Sequence, residues 1–152
     1  MTAQARLEEM GLDLLPPPQP AGAYVPAVRT GNLIYVAGQL PFVDGELRFS
    51  GKIGADLSIE QGYEAARICA LNALSVIKAE VGTLDKVSRI VRLAGFVGSA
   101  SGFTDQPKVV NGASELMAKI FAEQGRHARI ALGVAELPLG AAVELEVLVE
   151  VS

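Results

Sequence analysis

The chain ends in two segments, 128–135 and 143–150, in which hydrophobic residues recur at every second position. This period is that of a β-strand, whose successive side chains point to opposite faces. A turn around Pro138 separates the segments and predicts that they pair as a hairpin. One face of the first strand is apolar and suits a core: Ile130, Leu132 and Val134. One face of the second strand is acidic: Glu144, Glu146 and Glu150.

A helical pattern fills 58–81, where Ser58 and Gln61 have the spacing of a capping box and Gly82 is a stop signal. The centre of its predicted buried face is Cys69, read as a small core hydrophobe rather than a nucleophile. The residues predicted to be exposed on this helix are Glu60, Glu64, Arg67, Ser75 and Lys78. The remaining predicted elements are helices at 3–13 and 107–123, strands at 24–29, 33–37 and 87–97, and a short edge strand at 51–55.

The order of these elements predicts one α+β domain over residues 1–152, a two-layer sandwich with two helices on one face of a mostly antiparallel sheet. Residues 1–21 form an N-terminal helix and a Pro-rich lead-in that begins at about residue 14. Half of the residues are hydrophobic. The sheet face without helices is therefore expected to meet another subunit.

Composition excludes several function classes. The net charge of -4 argues against a nucleic-acid partner, and no apolar run is long enough for a membrane span. A single cysteine allows no intrachain disulfide, and one histidine with one cysteine makes a Cys/His metal site a poor interpretation. No phosphate-binding or dinucleotide motif is present. Without a secretory signal pattern, the expected location is the cytoplasm.

Arg129 shares its strand face with three very small residues: Ala131, Gly133 and Ala135. This pattern predicts an open space with a guanidinium at one end. A guanidinium matches a carboxylate through two parallel hydrogen bonds, so one interpretation is a binding site for a small carboxylic acid. The alternative is an arginine in a structural ion pair at a strand edge.

Glu144 is the glutamate nearest to this small-residue face and is a candidate base that activates water. In the predicted hairpin it lies ~13 Å along the sheet from Arg129, so the two would meet only in an extended or intersubunit site. Tyr24 is either an interface anchor or a pocket residue. Gly38 either admits a ligand or ends a strand. The remaining residues are interpreted as structural. Asn111 helps to cap the second helix, His127 has a structural role or none, and Glu146 and Glu150 lie on a solvated face.

Seven segments together resemble the reactive-intermediate deaminase family, also called RidA, YjgF or L-PSP. The similarity extends from about Gly22 to the C-terminus, and the N-terminal helix and lead-in are similar to a longer subgroup of that family. The segments are Gly22-Ala-Tyr-Val25, Gly31-Asn-Leu-Ile-Tyr-Val-Ala-Gly-Gln39, Asn72-Ala-Leu, Val109-Val-Asn111, Ala128-Arg129, Leu137-Pro138 and Val143-Glu-Leu-Glu146.

This resemblance implies a chorismate-mutase-like fold, a homotrimer with ligand clefts between subunits, and hydrolysis of 2-imino acids to 2-oxo acids and ammonia without a cofactor. It implies that Arg129 holds the substrate carboxylate and that Glu144 positions or activates water. It also implies the supporting residues of the cleft: Tyr24 lines it, Gly38 offers its backbone and Asn111 supports the site.

Two positions depart from the family pattern. Ala37 stands where the family often has Ser, and Ala131, a candidate substrate-binding position, stands where it often has Cys. Both changes remove polar atoms from the implied cleft. They leave open a second hypothesis, a non-catalytic binder or sensor of small carboxylic acids. A third hypothesis, a ribonuclease, is disfavoured by the acidic charge and the absence of a His/Lys cluster.

Overall fold

A computed structural model describes residues 1–20 and 22–152. Position 21, which belongs to the predicted lead-in, lies outside the described residues. The helices are α1 (Ala3–Glu9), α2 (Ile59–Val81) and α3 (Gln106–Phe121). The strands are β1 (Ala27–Thr30), β2 (Leu33–Gln39), β3 (Phe42–Val43), β4 (Glu46–Leu47), β5 (Val87–Gly98), β6 (Ala128–Val134) and β7 (Val143–Val151). The predicted elements are confirmed in type, except that residues 51–55 form only isolated bridges at Ile53.

Five strands form one sheet in the order β1-β2-β7-β5-β6, while β3 and β4 pair separately as a small hairpin. β6 is the edge strand of this sheet and pairs in parallel with β5, and β7 lies between β2 and β5. The predicted C-terminal hairpin is therefore wrong. The reason is α3, which connects β5 to β6 and supplies the long crossover that a parallel pair requires. β7 pairs instead with β2 and with the other side of β5.

Helices α2 and α3 cover one face of the sheet, and α1 packs against α3. The covered face of β7 supplies alternate core residues: Val143, Leu145, Val147, Val149 and Val151. The acidic face predicted for β7 is confirmed as the opposite face, since Glu146 and Glu150 are exposed. These layers make a mixed α+β fold with three helices and one main sheet.

The capping box at the start of α2 is confirmed. The Ser58 hydroxyl accepts from the Gln61 backbone at 3.1 Å, and the Gln61 side chain accepts from the Ser58 backbone at 2.9 Å. Cys69 is fully buried, as predicted. The predicted exposure of Ser75 is wrong: α2 contacts both β7 and α3, so its buried face is wider than one stripe. Ser75 is buried and donates to the Asn72 carbonyl at 2.7 Å.

The uncovered face of the sheet is apolar. Val28 lies opposite Tyr35 across β1 and β2, and the side chains of both are about half exposed. Ile130 and Leu132, predicted to lie in the core, are also on this face, with 38% and 43% of their surface exposed. That part of the prediction is wrong for the single chain, because α3 packs over the opposite face of β6. In the described ranges, 1–20 and 22–152, no helix is long and apolar enough to cross a membrane.

Candidate active site

Arg129 faces the helix layer and is held by α3. Its Nη1 donates to Oδ1 of Asn111 at 2.7 Å and to Oγ of Ser114 at 3.2 Å. Its Nη2 lies 3.5 Å from the carbonyl oxygen of Pro107, at the start of the same helix. No carboxylate within the described residues pairs with Arg129. The structural ion pair considered as the alternative is therefore absent from this part of the chain.

The way Arg129 is held leaves one edge of its guanidinium for a ligand. A guanidinium has five N–H donors, and both hydrogens of Nη1 point to Asn111 and Ser114. Pro107 takes at most one hydrogen of Nη2. The Nε hydrogen and the second Nη2 hydrogen have no acceptor among the residues that the structure describes. The N–H groups of Nε and Nη2 share one edge of a guanidinium, and this edge forms a fork that matches a carboxylate.

The small residues beside Arg129 leave less space than the sequence predicts. Ala131 is partly buried and packs against the core. A Cβ added at Gly133 would lie 2.6 Å from Nε2 of Gln106 and 2.9 Å from Oγ of Ser99. Gln106 itself donates to the Phe103 carbonyl at 2.8 Å. The space at Gly133 is thus filled by the first residue of α3.

Glu144 lies on the opposite, uncovered face of the sheet, next to Gly38. A Cβ added at Gly38 would overlap with the Glu144 carboxylate, whose Cδ would be only 3.0 Å away. The glycine therefore makes room for this side chain. Burial, and secondarily the nearby charge of Glu146, raises the pKa of the Glu144 carboxyl above its usual value. Glu144 has no hydrogen-bond or ion-pair partner in the described part of the chain, and a raised pKa makes its carboxylate a stronger proton acceptor.

Tyr24 lies near Gly38. Both residues line a small cavity between the proline-rich lead-in and the end of β2. Tyr24 also lines a broad apolar groove on the uncovered sheet face, together with Tyr35 and Glu146. The geometry therefore places Tyr24, Gly38 and Glu144 in one region, and Asn111, Arg129 and Ala131 in another.

The two regions are separated within one chain. Arg129 pairs with Leu93 of β5, whereas Glu144 pairs with Phe96 of the same strand. Leu93 and Phe96 are three residues apart, so the two side chains leave the sheet on opposite faces. Strand spacing and rise place their Cα atoms about 14 Å apart, too far for both to contact one small acid. One chain thus presents two separate groups of candidate residues, which we call half-sites.

Sequence reasoning missed Ser114 as a partner of Arg129. Its spacing of three residues from Asn111 was a usable signal, since residues three apart share a helix face. The tertiary contact of that face with β6 was not readable from the sequence. Cys69, by contrast, behaves as predicted: its thiol donates to the Val143 carbonyl at 3.7 Å, and burial followed by the charge of Glu144 raises its pKa well above the usual value. No cluster of metal-binding side chains occurs in the described ranges.

Comparison with known proteins shows which family this sequence matches. Residues 4–151 match the profile of a family described as "YjgF/chorismate mutase-like, putative endoribonuclease". The chain belongs to the YjgF/chorismate mutase-like family. The resemblance noted from the sequence is thereby confirmed, and the match includes every proposed site residue.

Individual relatives of this YjgF-family chain agree in length and fold. It is 46% identical to Protein TCP17 of Trypanosoma cruzi, over 97% of this chain and 93% of that protein. It is 30% identical to a protein of Dermatophagoides farinae named 2-iminobutanoate/2-iminopropanoate deaminase, over 87% of this chain and 88% of that protein. A crystal structure of a "putative endoribonuclease" from Shewanella oneidensis MR-1 superposes with a TM-score of 0.96 and 32% identity, covering 99% of this chain and 100% of that one.

Proposed function

We propose that this protein hydrolyses reactive 2-imino and enamine acids, of the 2-iminobutanoate and 2-iminopropanoate type, to 2-oxo acids and ammonia. The observation that carries the proposal is the open fork of Arg129, which α3 holds in place and no carboxylate of the described residues occupies. Membership of the YjgF family and the deaminase relative support the same chemistry.

Each candidate residue has a definite role in this proposal. Arg129 binds the substrate carboxylate through its Nε and Nη2 hydrogens, and Asn111 orients the guanidinium. Ala131 forms the small apolar floor next to the arginine. Glu144 is the base that activates water, and Gly38 leaves room for its carboxylate and offers backbone groups. Tyr24 closes the cleft on the side of the lead-in.

The reaction requires only orientation and proton transfer, since an imine carbon is already electrophilic. The oxygen of water bonds to the imine carbon while Glu144 accepts one proton of that water. This proton is then passed to the imine nitrogen, which gives an amino alcohol. The C–N bond breaks next, the hydroxyl proton moves to the leaving nitrogen, and the products are the 2-oxo acid and ammonia. No step needs a metal or an organic cofactor.

The two half-sites combine in this proposal between copies of the chain, in a homotrimer with its clefts at the interfaces. The exposed apolar face, which contains Val28, Tyr35, Ile130 and Leu132, supports self-association because large apolar patches on soluble proteins mark interaction surfaces. Glu144 lies on that face of β7, and Tyr24 lines the groove on the same face. A neighbouring copy would bring its Arg129 to them, and burial in the interface would exclude bulk water from the cleft.

The test is a coupled assay in which an amino-acid oxidase or a threonine dehydratase generates the imine and release of the 2-oxo acid is followed. Wild-type protein should accelerate release. Arg129→Ala should lower kcat/KM about 100-fold, because charge-assisted hydrogen bonds to the carboxylate are lost. The matched control is Arg126→Ala, three residues away on the same chain but exposed and paired with Glu123. It should retain activity within about twofold.

The outcome that contradicts the proposal is well-folded wild-type protein without acceleration in an assay where a known deaminase succeeds. The second candidate is then a non-catalytic binder of small carboxylic acids that uses the same Arg129 fork. The absence of polar side chains at Ala37 and Ala131 favours it. Saturable binding of a 2-oxo acid, lost in Arg129→Ala and without turnover, would identify this function.

A further inference from the structure

A histidine and a serine form a hydrogen-bonded chain behind Arg129. Nδ1 of His127 is 2.6 Å from the carbonyl oxygen of Gly125, and its Nε2 is 2.8 Å from Oγ of Ser114. The same Ser114 oxygen accepts from Nη1 of Arg129 at 3.2 Å. The chain thus connects the turn before β6, the middle of α3 and the guanidinium.

When the His127 ring is neutral, the chemistry of the bonded groups determines which atom donates in each of these three hydrogen bonds. The Gly125 carbonyl can only accept, so Nδ1 of His127 carries the hydrogen. Nε2 is then an acceptor, and it receives the hydroxyl hydrogen of Ser114. The lone pairs of the Ser114 oxygen are consequently free to face Arg129. Each bond therefore supports the next, from Arg129 through Ser114 and His127 to the backbone.

The Ser114 hydroxyl bonds to side chains outside its own helix. Such hydroxyls commonly bond back to a carbonyl of the preceding turn of the same helix. Here the hydroxyl lies between the side chains of His127 and Arg129. This placement takes up the second hydrogen of Nη1, and Asn111 takes up the first. Only the edge with Nε and the second Nη2 hydrogen remains for a ligand.

We propose that Ser114 and His127 are positioning residues of the carboxylate site, which hold the Arg129 guanidinium with its Nε/Nη2 edge toward the substrate. This inference rests on the proposed role of Arg129 in binding a carboxylate. Without the pair, Nη1 keeps only its bond to Asn111, and the guanidinium rotates more freely. Ordering it on binding then costs entropy, which weakens the capture of the carboxylate more than the chemical step.

The experiment compares Ser114→Ala, His127→Ala, the double variant and His127→Gln. Two quantities are measured: the Kd of 2-oxobutanoate by calorimetry, and kcat and KM in the imine assay. Each alanine variant should raise Kd and KM about fivefold, with kcat within about twofold, as for the loss of one hydrogen bond. His127→Gln should stay near wild type, because its side-chain oxygen can accept from Ser114. The double variant should resemble either single one, since the two residues act as one unit.

The matched control is Ser75→Ala, which removes a buried hydroxyl of α2 bonded to the Asn72 carbonyl, whereas the partners of Arg129 lie in α3. It should leave Kd and KM unchanged. Unfolding midpoints separate loss of fold from loss of binding, and the His127 variants decide the matter if Ser114→Ala does not fold. Unchanged Kd and KM in the alanine variants, or a His127→Gln variant as weak as His127→Ala, would overturn the inference. Binding of 2-oxobutanoate tests it even if wild-type protein has no turnover, which would refute only the deaminase proposal.

Discussion

The carboxylate of Glu144 occupies the space that a side chain at position 38 would take. It is held there half-buried, without a partner in the described residues, and this is unfavourable for a charged group. Such an arrangement is expected of a residue that takes part in catalysis or binding, since perturbed pKa values concentrate at functional sites. At the residue scale, two features therefore indicate a functional site. Arg129 has N–H donors on its Nε/Nη2 edge that no described residue accepts, and Glu144 has a raised pKa.

The raised pKa of Glu144 predicts the pH dependence of activity. Glu144 must be ionised to accept a proton, so the acid limb of kcat/KM should lie above the usual range for a glutamate. Glu146→Gln removes the like charge that helps to raise this pKa, and it frees Arg92, now 3.4 Å from Glu146. Both effects lower the pKa of Glu144 and should move the acid limb to lower pH. The measurement is the pH profile of kcat/KM for both proteins.

The control is Glu150→Gln, which removes the same charge from the same face of β7 farther along the strand. Its acid limb should coincide with that of wild type. An acid limb that does not move in Glu146→Gln would show that another group governs it, and Glu144 would lose its role as the base.

At the scale of elements, the close crossing of α2 and α3 positions Asn111, which holds the Arg129 guanidinium. Gly112 of α3 lies directly against the backbone of Tyr63 in α2, and a Cβ at this glycine would lie 2.8 Å from the Tyr63 carbonyl carbon. The neighbouring Asn111 is the residue that bonds Arg129. The distance between the two helices therefore determines where the guanidinium is held, although the groups that bond it belong to α3.

Gly112→Ala tests this crossing. Helix propensity alone would make the substitution stabilising by about 1 kcal/mol. The overlap with the α2 backbone reverses the sign, and we expect a loss of about 2 kcal/mol in the free energy of unfolding, measured with urea. Because α3 must shift, carboxylate binding should weaken as well.

Ala118→Gly, at an exposed position of the same helix, is the reference for propensity without packing. It should cost about 1 kcal/mol and leave binding unchanged. An increase in stability in Gly112→Ala would show that the helices are farther apart than the structure indicates.

At the scale of the whole molecule, the two half-sites lie on opposite faces of the sheet, with the Cα atoms of Arg129 and Glu144 about 14 Å apart. Arg129 points to the helices and Glu144 points away from them, so the proposed activity requires a second copy. The uncovered apolar face provides a surface for that contact. Assembly and catalysis are thus expected to be coupled, and dilution to monomers should abolish activity.

Mixing two inactive variants tests this coupling. Arg129→Ala and Glu144→Gln each lack one half-site, and each is expected to be inactive alone. After they are unfolded and refolded together, about a quarter of the clefts in randomly mixed trimers should combine an intact Arg129 with an intact Glu144. Activity should return to about that fraction of wild type. Each variant refolded alone is the control, and sizing by light scattering should report three chains. No recovery in verified mixed oligomers would place both groups in the same chain's site and contradict the intersubunit cleft.

Local patterns were sufficient for the features that depend on neighbouring residues. The capping box of Ser58 and Gln61, the buried position of Cys69 and the alternation of β7 are properties of segments, and each was predicted correctly. The candidate site residues were also chosen from the sequence, with the help of a family resemblance. Asn111 proved to contact Arg129 directly, and Gly38 proved to accommodate Glu144.

Only the tertiary structure decided which face of β6 is covered. A period of two identifies two faces but not which of them is buried, because that depends on the element that packs there. α3 returns the chain in parallel beside β5, so Arg129 meets Asn111 and Ser114, while Ile130 and Leu132 remain outside. The same long-range pairing places β7 between β2 and β5 and sets Glu144 against Gly38. Contacts between residues far apart in the chain have no local signature, and they determine the geometry of the site.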